Sequence, residues 1–222
     1  MPERYQIAID GPAASGKSTT ARRVAGELGI QYLDTGAMYR ALTLDVLRRG
    51  RSPKDEAGVL ACLAQLELDW RAGTVWLAGQ DVGEAIRDNQ VSVSMGPVCA
   101  LPEVRAWMVD LQRRLGSRES TVLDGRDIGT VVFPAARFKF FLVADLTERA
   151  RRRQRELAGR GLTVPLEELT AELERRDASD AARSTGPLRR APDAELLDTT
   201  LLSLEEQTGR ILERVRRELG RS

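Results

Sequence analysis

The chain has 222 residues, of which 42% are hydrophobic and 30% are charged, and its formal net charge at pH 7 is +1. This length suits one α/β domain with insertions, and the balanced charge argues against nucleic acid or a membrane surface as a partner. The sequence has no apolar run near the roughly 20 residues that span a bilayer. A strand pattern begins almost at the N-terminus, so we expect no signal peptide.

Two further features of the composition bear on compartment and chemistry. Cys62 and Cys99 lie in apolar helical contexts, and we interpret both as core residues of a protein of the reducing cytoplasm. The sequence contains no histidine, which excludes mechanisms that use an imidazole as a base or as a metal ligand. Phosphoryl transfer remains possible, because positioning and charge stabilisation supply most of its catalysis.

The first motif along the chain is a glycine-rich loop between a strand and a helix. Residues 6–10 form an apolar strand pattern, and residues 11–18 match the phosphate-binding pattern G-x-x-x-x-G-K-[ST]. A helical apolar pattern follows from Lys17. We predict that Lys17 reaches the β- and γ-phosphates of a nucleoside triphosphate and that the Ser18 hydroxyl ligates Mg²⁺. The predicted ATP-binding residues are Gly11, Pro12, Ala13, Ala14, Ser15, Gly16, Lys17, Ser18 and Thr19.

The second strand, residues 31–34, leads into the segment Asp-Thr-Gly-Ala-Met-Tyr-Arg at residues 34–40. Tyr39 is a candidate to border a base and Arg40 a candidate to bind a phosphate. Thr35 is a candidate N-cap of the helix predicted over residues 37–49. A second helix is predicted near residues 55–65, followed by a hairpin with strands at 66–70 and 74–77. This stretch is too long for a connection, so we predict a small subdomain.

The third strand, residues 120–124, ends in Asp124-Gly-Arg126-Asp127. In a parallel sheet this end lies at the same edge as the glycine-rich loop. We therefore predict that Asp124 orients water on Mg²⁺ and that Arg126 grips a phosphate with its planar guanidinium. The alternative is a simple Asp-Gly turn at the end of a strand.

An arginine-dense segment follows the fourth strand, residues 138–144. Residues 148–155 carry most of these arginines, and Arg160 follows a short distance later. A solvated helix face and an RNA-binding patch are the ordinary interpretations, but the net charge counts against the patch. We predict a lid that closes over the triphosphate, with Arg152 and Arg153 as the catalytic candidates beside Lys17, Arg126 and Asp124.

Strand patterns that alternate with helical patterns predict an α/β fold of the P-loop NTPase type. It has a five-stranded parallel sheet with helices on both faces, the fifth strand lying at residues 195–198. The predicted core domain comprises residues 1–34, 97–146 and 186–222. A small subdomain is inserted at 35–96, and an arginine-rich lid at 147–185. We expect the insert and the lid to close on ligand.

Taken together, the segments at 11–18, 34–40, 123–134 and 176–183 resemble bacterial cytidylate (CMP) kinases, and the resemblance covers essentially the whole chain. The most specific parts are residues 34–40, residues 123–134 and the pattern R-D-x-x-D-x-x-R at 176–183. The resemblance implies that the insert at 35–96 binds a nucleoside monophosphate. It also implies transfer of the γ-phosphoryl group of MgATP to CMP or dCMP, with Mg²⁺ as cofactor. We expect a monomer.

The same resemblance implies a set of residues that hold the acceptor nucleotide: Thr35, Tyr39, Arg40, Arg105, Arg126, Asp127, Arg176, Asp180 and Arg183. In that family, the residues at the positions of Asp127, Arg176 and Asp180 contribute to recognition of the cytosine and the sugar. The chain departs from the pattern at Gly96, where many members place a serine that meets the cytosine.

From the residues alone, other functions stay open. A P-loop kinase for another small acceptor, such as adenylate or shikimate, shares the glycine-rich loop, although the long insert counts against it. A GTPase switch would need an N-K-x-D motif, which the sequence lacks. A non-catalytic ATP-binding module is the third alternative.

Overall fold

A computed structural model describes residues 4–71 and 73–220. The chain folds as two compact units. The first comprises the described parts of Met1–Tyr32 and Glu119–Ser222, and the second comprises Leu33–Arg118. No helix within the described ranges is long and apolar enough to cross a membrane.

The first unit is built on a parallel sheet whose strands stand in the order β2-β6-β1-β7-β8. Strand β1 pairs in parallel with β6 and β7, and β7 pairs in parallel with β8. The prediction of a five-stranded parallel sheet is confirmed. The strands are β1 (Gln6–Asp10), β2 (Gln31–Asp34), β6 (Thr121–Gly125), β7 (Phe138–Val143) and β8 (Glu195–Asp198).

Among its described residues this unit has four α-helices: α1 (Lys17–Leu28), α6 (Leu146–Ala158), α7 (Leu166–Ala181) and α8 (Leu204–Glu218). Helices α1 and α8 share a core with one face of the sheet, in which Ile7, Ile9 and Ile211 are fully buried. Ala8 points to the other face of β1 and is also fully buried, so both faces of this central strand are covered. Ser203 is the N-cap of α8 and forms a capping box with Glu206.

Between β6 and β7 the chain forms a single π-helical turn at Ile128–Val132, which the sequence did not predict. The carbonyl oxygen of Asp127 accepts hydrogen bonds from the backbone N–H groups of Val131 and Val132, at 2.8 and 3.2 Å. Such turns insert an extra residue into helical geometry and redirect the backbone. The turn follows immediately after the predicted acceptor residues Arg126 and Asp127.

The second unit contains α2 (Thr35–Arg48), α3 (Glu56–Ala64), α4 (Asn89–Ala100), α5 (Pro102–Gly116) and an antiparallel sheet. That sheet is formed by β3 (Leu68–Arg71), β4 (Thr74–Leu77) and β5 (Gln80–Asp81). The predicted hairpin is present on either side of residue 72, which lies outside the described residues. The unit is larger than the predicted insert at 35–96, because α4 and α5 pack with α2.

The start of α2 differs from the prediction. Helix α2 begins at Thr35, two residues earlier than predicted, so Thr35 lies inside the helix and is not its N-cap. Asp34 caps the helix instead, because its carboxylate accepts a hydrogen bond of 2.9 Å from the backbone N–H of Ala37. The prediction of a threonine cap was therefore wrong by one residue.

Candidate active site

The glycine-rich loop at residues 11–18, called the donor loop below, connects β1 to α1 and has a backbone that requires glycine. A Cβ at position 11 would lie 2.2 Å from the backbone oxygen of Leu142, closer than any real contact. Gly16 has φ of 89° and is the N-cap of α1, with no side chain capping the helix. The first-turn N–H groups of α1 therefore have no side-chain acceptor and, together with the helix dipole, favour an anion.

Lys17 is buried at the start of α1, where it is only 6% exposed, and its ammonium donates a 2.9 Å hydrogen bond to the backbone oxygen of Pro12. Burial, together with the positive charge of Arg126, lowers the pKa of Lys17 to about 7. An anionic ligand at the donor loop would favour the charged form. The side chain is thus held inside the loop, as phosphate binding requires.

Asp124, at the end of β6, receives hydrogen bonds on both carboxylate oxygens. The Ser18 hydroxyl donates to Oδ2 at 2.6 Å, and the Tyr32 hydroxyl donates to Oδ1 at 2.8 Å. Asp124 is 3% exposed. The structure therefore brings the two residues predicted to serve Mg²⁺ into direct contact, although 106 positions separate them in the sequence.

Arg126, Asp180 and Arg183 form an ion cluster, called the acceptor triad below. Arg126 Nε lies 2.7 Å from Asp180 Oδ2, and Arg183 donates to the other oxygen, Oδ1. Asp180 is 2% exposed, and burial by itself would raise the pKa of its carboxyl group. The charges of Arg126 and Arg183 outweigh burial, so the pKa of Asp180 is lowered.

Asp127 and Arg176, the two remaining acceptor predictions of the first unit, lie on the elements that carry the triad. Asp127 is 6% exposed and stands directly after Arg126. Arg176 is half-buried on α7, one turn before Asp180. A side chain four residues earlier on a helix lies on the same face, so Arg176 accompanies the triad.

The arginines of α6 do not all have the same surroundings. Arg149 is buried, whereas Arg152 and Arg153 are half-buried. Arg152 contacts both the donor loop and the segment after β8, because it donates to the backbone oxygens of Ser15 at 3.4 Å and Thr199 at 2.5 Å. Arg153 pairs with Glu156 at 2.9 Å on the same helix.

The predicted site residues of the second unit are placed as follows. Thr35 is buried at the start of α2, and Tyr39 and Arg40 are half-buried on the same helix. Arg105 is 4% exposed on α5, and its Nη1 lies 3.5 Å from the Tyr39 hydroxyl, at the outer limit of a hydrogen bond. Gly96 lies inside α4 and directly precedes Pro97.

Comparison with known proteins agrees with this geometry. A family model described as cytidylate kinase matches residues 7–217. The chain belongs to the cytidylate kinase family. Among curated members, a cytidylate kinase of Caldanaerobacter subterraneus is 47% identical over 212 residues, which cover 96% of this chain and 95% of that protein. A cytidylate kinase of Carboxydothermus hydrogenoformans is 48% identical, with 94% and 96% covered.

A solved structure supports the fold alone. An uncharacterized protein of Eubacterium ventriosum superposes with a TM-score of 0.51 at 12% identity, covering 96% of this chain and 98% of that one. The resemblance stated from the motifs is thus confirmed by sequence relatives that span nearly the full chain. The cytidylate kinase family also implies ATP-dependent phosphoryl transfer.

Two residues of this site in the cytidylate kinase family member were not predicted from the sequence. Tyr32 holds Asp124, and the Arg22 guanidinium lies 5.3 Å from the centre of the Tyr32 ring. Asp10 accepts 2.8 Å hydrogen bonds from the N–H groups of Ile128 and Gly129 at the start of the π-helical turn. Burial raises the pKa of Asp10 to about 7, although these two hydrogen bonds act in the opposite direction.

Proposed function

We propose that this protein transfers the γ-phosphoryl group of MgATP to CMP or dCMP, giving CDP or dCDP. One observation carries the proposal. Arg126 of the acceptor triad lies two residues after Asp124, and Asp124 accepts a hydrogen bond from Ser18 of the donor loop. A phosphate-binding loop and a cationic acceptor site therefore share one strand end. The membership of the chain in the cytidylate kinase family supports the same assignment.

The acceptor needs no general base. The second pKa of a phosphate monoester is near 6, so CMP is mostly a dianion at neutral pH and its phosphate oxygen is already nucleophilic. This agrees with a sequence that contains no histidine. What the reaction requires is neutralisation of charge, because two anionic groups must approach in line. Lys17 and Arg126 supply positive charge, and we propose that Arg152 and Arg153 add to it when the lid segment, residues 147–185, closes.

Selection of cytosine follows from the chemistry of the acceptor triad. Cytosine presents an N4 amino donor and acceptors at O2 and N3, so a carboxylate facing N4 and an arginine facing the acceptors would match it. Each carboxylate oxygen of Asp180 holds one arginine and keeps a further lone pair for a donor. Uracil has an oxo group in place of N4, which would face the carboxylate as a second acceptor. We therefore propose that UMP is discriminated against by an unsatisfied buried polar group.

The residues at the donor loop fit Mg²⁺. Hydroxyl and carboxylate oxygens are the ligands that this ion prefers, and Ser18 and Asp124 place one of each side by side. Within the described ranges no group of three acidic, cysteine or histidine side chains gathers to hold a metal, which agrees with an ion that keeps phosphate and water ligands. We propose that Ser18 ligates Mg²⁺ and that Asp124 holds it through water. When bound, the ion neutralises charge on the transferred phosphoryl group.

The remaining site assignments are part of the same proposal. Residues 11–19 bind ATP, and Asp127 and Arg176 bind CMP together with the acceptor triad. In the second unit we propose that Thr35, Tyr39, Arg40 and Arg105 also bind CMP. We further propose a monomer of the cytoplasm that needs neither nucleic acid nor a membrane for its activity.

A phosphoryl-transfer assay with ATP and a panel of nucleoside monophosphates tests the proposal. CMP and dCMP should give kcat/KM values at least about five times those of UMP and AMP, since one mismatched buried polar group costs about 1–3 kcal/mol. Lys17→Met should abolish transfer, whereas Lys54→Met, the same change at an exposed lysine, should not alter it. Equal rates with CMP and AMP would contradict the assignment of the acceptor.

A further inference from the structure

Arg149 is the buried arginine of α6, and three oxygen atoms hold it. Its Nε donates to the backbone oxygen of Ala144 at 3.0 Å. Its Nη1 donates both to the backbone oxygen of Ala13 at 3.3 Å and to Asp177 Oδ2 at 2.5 Å. One nitrogen thus connects the backbone of the donor loop to a carboxylate on α7.

Apolar packing joins the same three elements. Ala13 of the donor loop is buried in a small core with Ala150 and Leu157 of α6 and with Leu169 and Leu173 of α7. This core is separate from the one beneath the sheet. Because packed interiors transmit displacement rather than absorb it, a shift of the loop backbone at Ala13 reaches α7 by contact as well as by hydrogen bond.

Asp177 stands among the acceptor residues in the sequence of α7. It directly follows Arg176 and precedes Asp180 by three positions, about one helical turn. Its Oδ2 is occupied by Arg149, and its Oδ1 is buried with no hydrogen-bond partner among the residues that the structure describes. The hydrogen bond from Arg149 therefore fixes the Asp177 side chain, which lies on the same helix as Arg176 and Asp180.

Arg152 provides a useful contrast. It also lies on α6 and also donates to the donor loop, at the backbone oxygen of Ser15. Its other contacts run to Thr199, which lies between β8 and α8, and to Glu148 on its own helix. Arg152 therefore contacts the donor loop but not α7, whereas Arg149 bonds both to the loop and to α7, the helix that carries Arg176 and Asp180.

We propose that Arg149 is a positioning residue that couples ATP binding at the donor loop to CMP binding on α7, through its ion pair with Asp177. This rests on the proposed function for the identity of the two ligands. Phosphates that order the loop backbone fix the Ala13 carbonyl. The planar guanidinium then fixes Asp177, and with it the helix that presents Arg176 and Asp180. Each nucleotide consequently tightens the binding of the other.

Titration calorimetry measures this coupling directly. The Kd of CMP is determined without and with saturating Mg²⁺ and a non-hydrolysable ATP analogue, and the ratio of the two values is the coupling factor. For the unmodified protein we expect a factor of about 5 or more, within the usual range for coupled sites. Arg149→Met and Asp177→Ala should each reduce the factor to less than about 2, and the double variant should reduce it no further.

Two more variants separate positioning from simple loss of structure. Asp177→Asn retains an oxygen that accepts from Arg149, so its factor should lie between those of Asp177→Ala and the unmodified protein, since a charge-assisted hydrogen bond is about twice as strong as a neutral one. Arg151→Met removes an exposed arginine from the same helix and should leave the factor unchanged. Far-UV circular dichroism establishes that each variant is folded.

The outcomes are distinct. A protein that binds neither CMP nor the ATP analogue refutes the proposed function. A protein that binds both, with no coupling or with coupling that survives Arg149→Met and Asp177→Ala, overturns this inference and leaves the proposed function intact. If the Arg149 variant does not fold, the two Asp177 variants decide: equal factors in Asp177→Ala, Asp177→Asn and the unmodified protein overturn it.

Discussion

Removing the charge of Asp180 tests how the acceptor triad is held together. Asp180 is 2% exposed, and the side chains of Arg126 and Arg183 are each 16% exposed. Asp180→Asn keeps the shape of the side chain but takes the anion from between two guanidinium groups. Its new amide group also presents a donor to one of them. The variant therefore leaves two neighbouring positive charges without their common partner.

The expected cost follows from this burial. Breaking a buried ion pair by removing one partner costs about 3–5 kcal/mol, and the partial exposure of both arginines places this triad at the lower end, near 3 kcal/mol. For a chain of this length, that loss lowers the melting temperature by about 6–12 °C. Thermal and guanidinium unfolding of the ligand-free protein, followed by circular dichroism, measures both quantities.

Glu205→Gln is the matched control in the same unit. Glu205 pairs with Arg23 at 2.5 Å, but the two side chains are 68% and 37% exposed. Solvent and salt screen such an exposed pair, so this change should alter stability far less than Asp180→Asn does. If Asp180→Asn cost as little as Glu205→Gln, the interpretation of the triad as a buried, structurally coupled cluster would be wrong.

The same variant has a pH signature. The pKa of Asp180 is lowered in the folded state, so its contribution is fully present above the unfolded value of about 3.9. It is lost as the pH falls through the folded pKa. The difference in stability between the unmodified protein and Asp180→Asn should therefore be constant near neutrality and shrink in strong acid. A difference that grew on acidification would contradict the sign of the shift.

Three further substitutions test single contacts. Tyr32→Phe removes the hydroxyl that donates to Asp124 Oδ1. It should cost about 1.5–3 kcal/mol of stability and raise the Mg²⁺ concentration for half-maximal activity without changing the KM for CMP; a selective rise in that KM would argue against this role. Gly209→Ala, at an exposed position of α8 with open space for a methyl group, should stabilise the protein by about 0.5–1 kcal/mol in guanidinium unfolding. Gly11→Ala should destabilise it and weaken ATP binding in calorimetry, because the added Cβ would clash with the Leu142 backbone oxygen. The same sign for both glycine changes would contradict the loop geometry.

The sequence was sufficient where the structure depends on local pattern. The donor loop has fixed spacing, and the sheet strands are short apolar runs between helical periods, so both were predicted within a residue or two. Of helix α4, only the helical context of Cys99 was predicted and its bounds were not, because Gly96 and Pro97 normally interrupt a helix. Glycine has no Cβ to clash with the ring of a following proline in helical geometry, which gives a physical reason for Gly96 at this position.

Contacts between distant positions could not be obtained from the sequence. Tyr32 and Asp124 are 92 positions apart, and Asp10 and Ile128 are 118 apart. Both contacts form only because β1, β2 and β6 end at the same edge of the sheet.

The contacts of the arginine-rich segment could not be predicted from the sequence either. Its composition indicated a role in phosphate chemistry, but which arginine is buried against the donor loop depends on the packing of α6 against α7.

The most direct test of the account is to follow the phosphorus of ATP. In a mixture of protein, Mg²⁺, ATP and CMP, phosphorus NMR should show ADP and CDP appearing in equal amounts, with the γ-phosphoryl group recovered as the β-phosphate of CDP. Release of the γ-phosphoryl group as inorganic phosphate, with CMP unchanged, would contradict the central claim that the donor loop and the acceptor triad together perform phosphoryl transfer to a nucleotide.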